Sequence, residues 1–126
     1  KMINETKKIM HAQDLPVAAT CVRVPVVAGH SESVYIEIEQ SGVTVEDIKN
    51  ILQGAPGIIV QDDITAQVYP MPIFTEGEDE VFVGRIRKDL AKDNAFHLWV
   101  VSDNLLKGAA LNSIQIAEKM IEDGLI

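Results

Sequence analysis

The stretch EVFVGRIRKDLAKDNAFHLWVV, Glu80 to Val101, decides the fold. Two runs rich in β-branched and aromatic residues, Glu80 to Ile86 and Ala95 to Val101, flank a charged turn around Lys88 to Asn94, the pattern of two strands with a polar connection. His97 lies inside the second run, where a structural role is expected.

Working outward, Ser33 to Glu39 alternates Val34, Ile36 and Ile38 against Tyr35, Glu37 and Glu39, as a half-buried strand does. Thr44 is placed as an N-cap with Asp47 three residues on, and Val45, Ile48, Ile51 and Leu52 form an apolar stripe that Gly54 and Pro56 end. Ile58 to Val60 reads as a short strand. Gln61 to Asp79, with Pro70, Pro72 and Gly77, reads mainly as loop, with one strand near Gln67 to Tyr69. Helices are expected near Ile3 to His11 and over Asn104 to Ile121, the latter offering Leu105, Ala109, Ile116 and Met120 to a core, with Gly124 past its end. Interleaved strands and helices define an α+β chain, a mixed β-sheet with helices packed on it.

The 126 residues suit a single domain, and a 47% hydrophobic content is enough for a packed core. Eleven basic against 19 acidic residues leave a net charge of -8, with no Lys/Arg cluster and no aromatic platform, so nucleic acid is not an expected partner. Apolar runs stop well short of the roughly 20 residues a membrane helix needs, and no signal peptide is read, so no membrane partner is expected either. One cysteine, Cys21, makes no internal disulfide and fits a reducing cytoplasm. Lys1 opens directly into a helical run without an N-cap, which reads as a helix entered partway and the chain as part of something longer.

Chemistry concentrates in CVRVPVVAGHSES, Cys21 to Ser33, which sets Arg23 and His30 at opposite ends of one apolar run. Val22, Val24 and Val26 alternate with Cys21, Arg23 and Pro25, so Val17 to Val26 is expected to be a strand, with Pro25 at a sheet edge and Gly29 turning His30 outward from a loop. Arginine presents a planar fork that matches a carboxylate, and histidine exchanges protons near neutral pH. The pairing points to an acid substrate and proton transfer, although taken singly His30 reads first as a surface-loop histidine and Arg23 as an edge-strand arginine in a salt bridge.

Glu5 and Lys8, three apart on the first helix, share a face. They read either as a solvated pair or as partners for a substrate ammonium and a phosphate. His11 and His97 have no second ligand at metal spacing, so no metal is expected. Cys21 sits in a β-rich run rather than at a helix N-terminus that would favour a thiolate, so it is not read as a nucleophile. No Gly-rich phosphate-binding fingerprint follows any strand.

Four motifs together, ETKKI (Glu5 to Ile9), CVRVPVVAGHSE (Cys21 to Glu32), VGRIRKD (Val83 to Asp89) and WVVSDNLLKGAALNSIQIAE (Trp99 to Glu118), resemble the C-terminal part of aspartate-semialdehyde dehydrogenase, of the Gram-positive bacterial type. The resemblance implies a fragment of that family's substrate-binding and dimerisation domain over residues 1–126, including the C-terminal helix. It implies an NADP-dependent parent enzyme, a homodimer or homotetramer, that converts aspartyl phosphate to aspartate semialdehyde and phosphate on the route to lysine, threonine and methionine. By motif, His30 is the general acid and base, Arg23 clamps the substrate carboxylate, Glu5 binds the ammonium, Lys8 helps bind phosphate, and Asn104 approaches the nicotinamide. The family's nucleophilic cysteine, in an Asn-Cys context, and its dinucleotide-binding domain have no counterpart in these residues, so the fragment alone is expected to be inactive. Two alternatives fit the same residues. One is a sister acyl-phosphate reductase of the superfamily, and the other a non-catalytic dimerisation or interaction module.

Overall fold

The computed structural model describes all residues, Lys1–Ile126. The chain order is α1 (Met2–Ile9), β1 (His30–Glu37), α2 (Val45–Gln53), β2 (Ile58–Val60), α3 (Pro72–Thr75), β3 (Val81–Lys88), β4 (Ala95–Ser102) and α4 (Leu111–Glu122). The four strands form one mixed sheet in the order β1-β4-β3-β2. β1 and β3 run antiparallel to β4, while β2 runs parallel to β3. The two apolar runs of the Glu80 to Val101 stretch thus become the two central strands, as expected, and α+β is the fold class.

One face of the sheet makes the core. Val83, Ile86, Phe96 and Leu98 are buried together, and Val34, Ile36, Ile58 and Val100 surround them. Val34 faces Leu98 and Ile36 faces Phe96 across the β1–β4 ladder, so the alternation read along β1 is the register of the core. α2 closes this face through Val45, Ile48 and Leu52. Its start is a capping box: the Asp47 N–H donates to Thr44 Oγ1 at 3.1 Å, and the Thr44 N–H donates to Asp47 Oδ2 at 2.9 Å. Ile51, expected in the stripe, is instead exposed, because it projects to the side of the line joining Val45, Ile48 and Leu52.

The connection after β2 crosses β3 at very close range. A Cβ on Gly84 would meet the Gln61 carbonyl oxygen at 2.0 Å and Pro70 Cδ at 2.6 Å, so only glycine fits. β3 bulges immediately afterwards, between Gly84 and Arg87, with Arg85 at φ 53°. Asp62 holds the bulge: Oδ1 accepts from the Arg85 N–H at 2.9 Å, and Oδ2 accepts from the Ile86 N–H at 3.3 Å and pairs with Lys49 Nζ at 2.9 Å.

Several expectations are corrected. Val17 to Val26 is not a strand; the segment has no ladder, and Val22, Val24 and Val26 are 78%, 51% and 44% exposed. Pro16 and Pro25 supply no N–H, and a Val26 N–H bond back to the Val24 carbonyl at 3.0 Å curls the backbone on itself. His30 is the first residue of β1 rather than part of a loop. Around Gln67 to Tyr69 there is only a single bridge between Asp63 and Val68, and Pro72–Thr75 forms an unexpected helical turn with proline in its first turn.

The last helix also starts differently: residues Leu106–Ala110 form a π-helical turn before α4 begins at Leu111. The Ala110 N–H bonds to the Leu105 carbonyl and the Leu111 N–H to the Leu106 carbonyl, one residue further back than in an α-helix. No residue of α4 is buried. Of the apolar positions expected in its core, Leu105, Ala109 and Ile116 are exposed and Met120 is partly covered.

Gly84→Ala is expected to destabilise the fold by about 3 kcal/mol or more, since neither the Gln61 backbone nor the Pro70 ring can give way cheaply. Urea unfolding of the two proteins measures it, and an unchanged midpoint contradicts the close crossing.

Candidate functional site

The best-built part of the site lies where β4 ends beside the start of β1. His30 pairs with Ser102, so the ladder delivers His30 to the sheet end, where its side chain is exposed. Gly29, just before it, is buried at φ 91°, a conformation that favours glycine. Its N–H donates to Asn104 Oδ1 at 2.7 Å. A Cβ there would meet the Ser102 carbonyl oxygen at 3.2 Å and Pro72 Cβ at 3.5 Å. His30 and Asn104, far apart in the sequence, are therefore brought together through one glycine.

Asp103 organises the surroundings. It is only 4% exposed, and its Oδ1 accepts from the Leu105 and Leu106 N–H groups at 2.7 and 3.2 Å. Oδ2 accepts from the Gly77 N–H at 2.9 Å. The Gly77 and Leu105 amides hold the Asp103 carboxyl below its ordinary range, against a smaller opposing effect of desolvation. One carboxylate thereby ties the 72–77 segment to the chain leaving β4. Trp99 Nε1 adds a second tie by donating to the Pro70 carbonyl at 3.1 Å.

Glu5, Lys8 and Arg23 come from the less anchored part of the chain. α1 carries Glu5 and Lys8, both exposed, and the irregular segment that follows carries Arg23, also exposed. The link between the two is a contact of Cys21 Sγ with Met2 Sδ at 3.3 Å. No hydrogen bond or ion pair engages the Glu5, Lys8, Arg23 or His30 side chains, and none joins α1 or Arg23 to His30. The chain instead pairs Lys49, Lys88, Lys92 and Lys119 with carboxylates. Cys21 is free and exposed.

Sequence reasoning missed Asp62 and Asp103. Both are acidic residues in loop-like surroundings, and their amide partners lie on other elements or only a few residues ahead. The SDN run following a strand was the available signal for Asp103, since an Asp at that place readily caps the turn that follows.

On the opposite side of the sheet from α2, Ser33, Tyr69, Pro70, Met71, Pro72, Arg85, Arg87 and Trp99 line an open groove of about 530 Å³. Nearby, His97 Nε2 lies 2.8 Å from Asp89 Oδ2, and Tyr35 and Lys92 both donate to Glu37 Oε1 at 2.7 Å. The imidazole beside Asp89 holds that carboxyl below its usual range. His97 thus has the structural role expected of it.

One helix thus covers one face of a four-stranded mixed sheet, and at the sheet end Gly29 brings His30 and Asn104 together. The family model described as semialdehyde dehydrogenase, dimerisation domain, matches residues 1–107, and the chain belongs to that family. The aspartate-semialdehyde dehydrogenase of Bacillus subtilis is 67% identical over 126 residues, all of this chain and 36% of that protein. The crystal structure of aspartate semialdehyde dehydrogenase II of Vibrio cholerae, complexed with ASA, superposes with a TM-score of 0.89 at 38% identity, over 97% of this chain and 35% of that one. The Candida albicans aspartate semialdehyde dehydrogenase with NADP superposes with a TM-score of 0.67 at 30% identity, over 82% of this chain and 33% of that one. The chain spans about a third of the length of the relatives it matches. No helix is long and apolar enough to cross a membrane.

Asp103→Asn is expected to lower stability at pH 7, because the amide places an N–H where the Gly77 N–H or the Leu105 N–H needs an acceptor. A carboxyl held low in the folded state stabilises above its ordinary range and loses that contribution as pH falls below about 4. The variant should therefore lose less stability than the parent on acidification. Urea midpoints at pH 7 and pH 3 check both signs.

Proposed function

We propose that this chain is the substrate-binding and dimerisation part of an NADP-dependent aspartate-semialdehyde dehydrogenase that converts aspartyl phosphate to aspartate semialdehyde and phosphate in the cytoplasm, within lysine, threonine and methionine biosynthesis. The observation that carries the reading is that Glu5, Lys8, Arg23 and His30 are exposed and have no partner within the chain. A carboxylate, an ammonium, a guanidinium and an imidazole are the groups needed to bind an amino-acid acyl phosphate and move its protons. The relatives named aspartate-semialdehyde dehydrogenase support the same choice.

Arg23 binds the substrate carboxylate through two parallel N–H bonds, which fixes the direction of the reacting carbonyl. Glu5 pairs with the ammonium, and Lys8 with the phosphate. His30 takes and returns the proton of the thiol nucleophile and of the acyl adduct, both supplied outside these residues. For the cofactor, Asn104 offers the fitting group: its oxygen is committed to Gly29, which leaves its NH2 to donate to a carboxamide. The reduced cofactor, NADPH, would supply the hydride that reduces the acyl group when bound, and NADP would accept it in the reverse direction. The complete enzyme is a homodimer or homotetramer, in keeping with the dimerisation domain to which the chain belongs.

In the full-length protein, His30→Gln should lower kcat roughly 100-fold or more with little change in substrate KM, the size of a lost general acid and base. Arg23→Lys should chiefly raise KM for aspartate semialdehyde, because a point charge replaces the fork. Steady-state kinetics with both variants test the assignment, and wild-type constants in either sink that residue's role. The 126 residues alone should not reduce NADP with aspartate semialdehyde and phosphate, and turnover by the isolated chain contradicts the division of the site.

A further inference from the structure

We propose that Asn104 is a positioning residue for His30, acting through the hydrogen bond from the Gly29 N–H to its side-chain oxygen. The proposal rests on the reading of His30 as the proton carrier, and it adds a second task to an asparagine otherwise placed on the cofactor side.

The geometry supplies the argument. The β1–β4 ladder ends with His30 opposite Ser102, so Gly29 lies one step beyond the last strand pair. Its N–H is buried, and the 2.7 Å bond to Asn104 Oδ1 satisfies it. Ser102 and Pro72 line the space into which a side chain on this glycine would project. With the acceptor removed, a buried donor is left unpaired, and the turn must shift to reach water. His30 is the next residue along the chain, so its imidazole moves with the turn.

Asn104 is itself held in place. Asp103, the preceding residue, binds the amides of Gly77, Leu105 and Leu106, which fixes the backbone as it leaves β4. The amide orientation follows from the bond to Gly29: oxygen inward, NH2 outward. No group of the chain accepts from Nδ2, and it is not among the enclosed, unpartnered atoms, of which there are none. One side chain thus links a donor available to a ligand with the turn that aims the imidazole.

The test separates these tasks in the full-length protein. Asn104→Ala removes both the acceptor and the NH2, whereas Asn104→Asp keeps an oxygen for Gly29 and exchanges the NH2 for a second, anionic oxygen. Asn104→Ala should lower kcat roughly 10- to 100-fold, the usual effect of a small misplacement of a reacting group, and should accelerate hydrogen exchange of the Gly29 amide. Asn104→Asp should keep that exchange slow and lower kcat less than Asn104→Ala does, while KM for NADP rises. An Ala variant that changes only KM for NADP, with Gly29 still protected, overturns the proposal. A folded Asp variant with rapid Gly29 exchange overturns it too, even if the Ala variant fails to fold. Loss of turnover in His30→Gln together with normal kcat in Asn104→Ala sinks this inference alone, whereas normal turnover in His30→Gln sinks the reading of His30 and this inference with it.

Discussion

The Gln61 backbone and the Pro70 ring can lie on β3 only because residue 84 has no side chain. That crossing takes the chain from the edge strand β2 over the sheet and down its far side. Asp62 locks it by capping the bulge that Gly84 begins, and Trp99 catches Pro70 where the segment descends. Pro72 then lies against Gly29, and Gly77 reaches the Asp103 carboxylate. The surroundings of His30 are thus set by a close approach two strands away. Packing this tight transmits displacement rather than absorbing it, so the crossing and the histidine turn form one mechanical unit.

The surface outside that unit is unusually open. The chain exposes 9430 Å², where a folded monomer of 13.8 kDa is expected to expose about 6,600 Å². The excess lies partly on α1, the 12–29 segment and α4, where Ile9, Val22, Val27, Ile114 and Ile121 face outward. Apolar surface on this scale favours burial against other protein. The match to a dimerisation domain agrees with such burial. The proposed substrate groups divide along the same boundary: His30 stands on the sheet, while Glu5, Lys8 and Arg23 stand on the part that the sheet does not support.

That boundary also separates what could be read in the sequence from what could not. β3, β4 and the capped helix were legible because their apolar periods are enforced by mutual burial: Val34 against Leu98, Ile36 against Phe96, and Val45, Ile48 and Leu52 above them. The valines at 22, 24 and 26 show the same period without a sheet beneath them. Alternation records that one side of a segment prefers to avoid water, and it does not say what covers that side. The helix from Asn104 failed for a different reason. A π-helical turn shifts every later residue about 100° around the axis, so a stripe counted from Leu105 no longer marks one face beyond Leu111. Asp62 was illegible because the Arg85 and Ile86 amides it caps are brought to it by the fold, and Asp103 was legible only in part: its Leu105 and Leu106 amides are local, while the Gly77 amide is not. For the candidate site, residue types and spacing singled out Arg23, His30, Glu5 and Lys8, the resemblance added Asn104 and the particular roles, and the glycine linking His30 to Asn104 became visible only in three dimensions.

The arrangement of the site follows from the cost of order. A proton carrier is effective only when its ring is held within a fraction of an ångström of the reacting atoms, so it belongs on the stiffest available element. His30 begins a strand whose ladder is complete along its length, and the preceding glycine is held by the bond from its N–H to Asn104. Charges that hold the ends of a flexible substrate need less precision, because a guanidinium or ammonium attracts over several ångströms and adjusts by rotating its own side chain. Such groups can stand on segments that become ordered only against a partner. Under the proposed roles, an exposed Arg23 on an irregular segment and a His30 whose backbone is held at a sheet end divide the work: the fold holds the backbone of the residue that must aim.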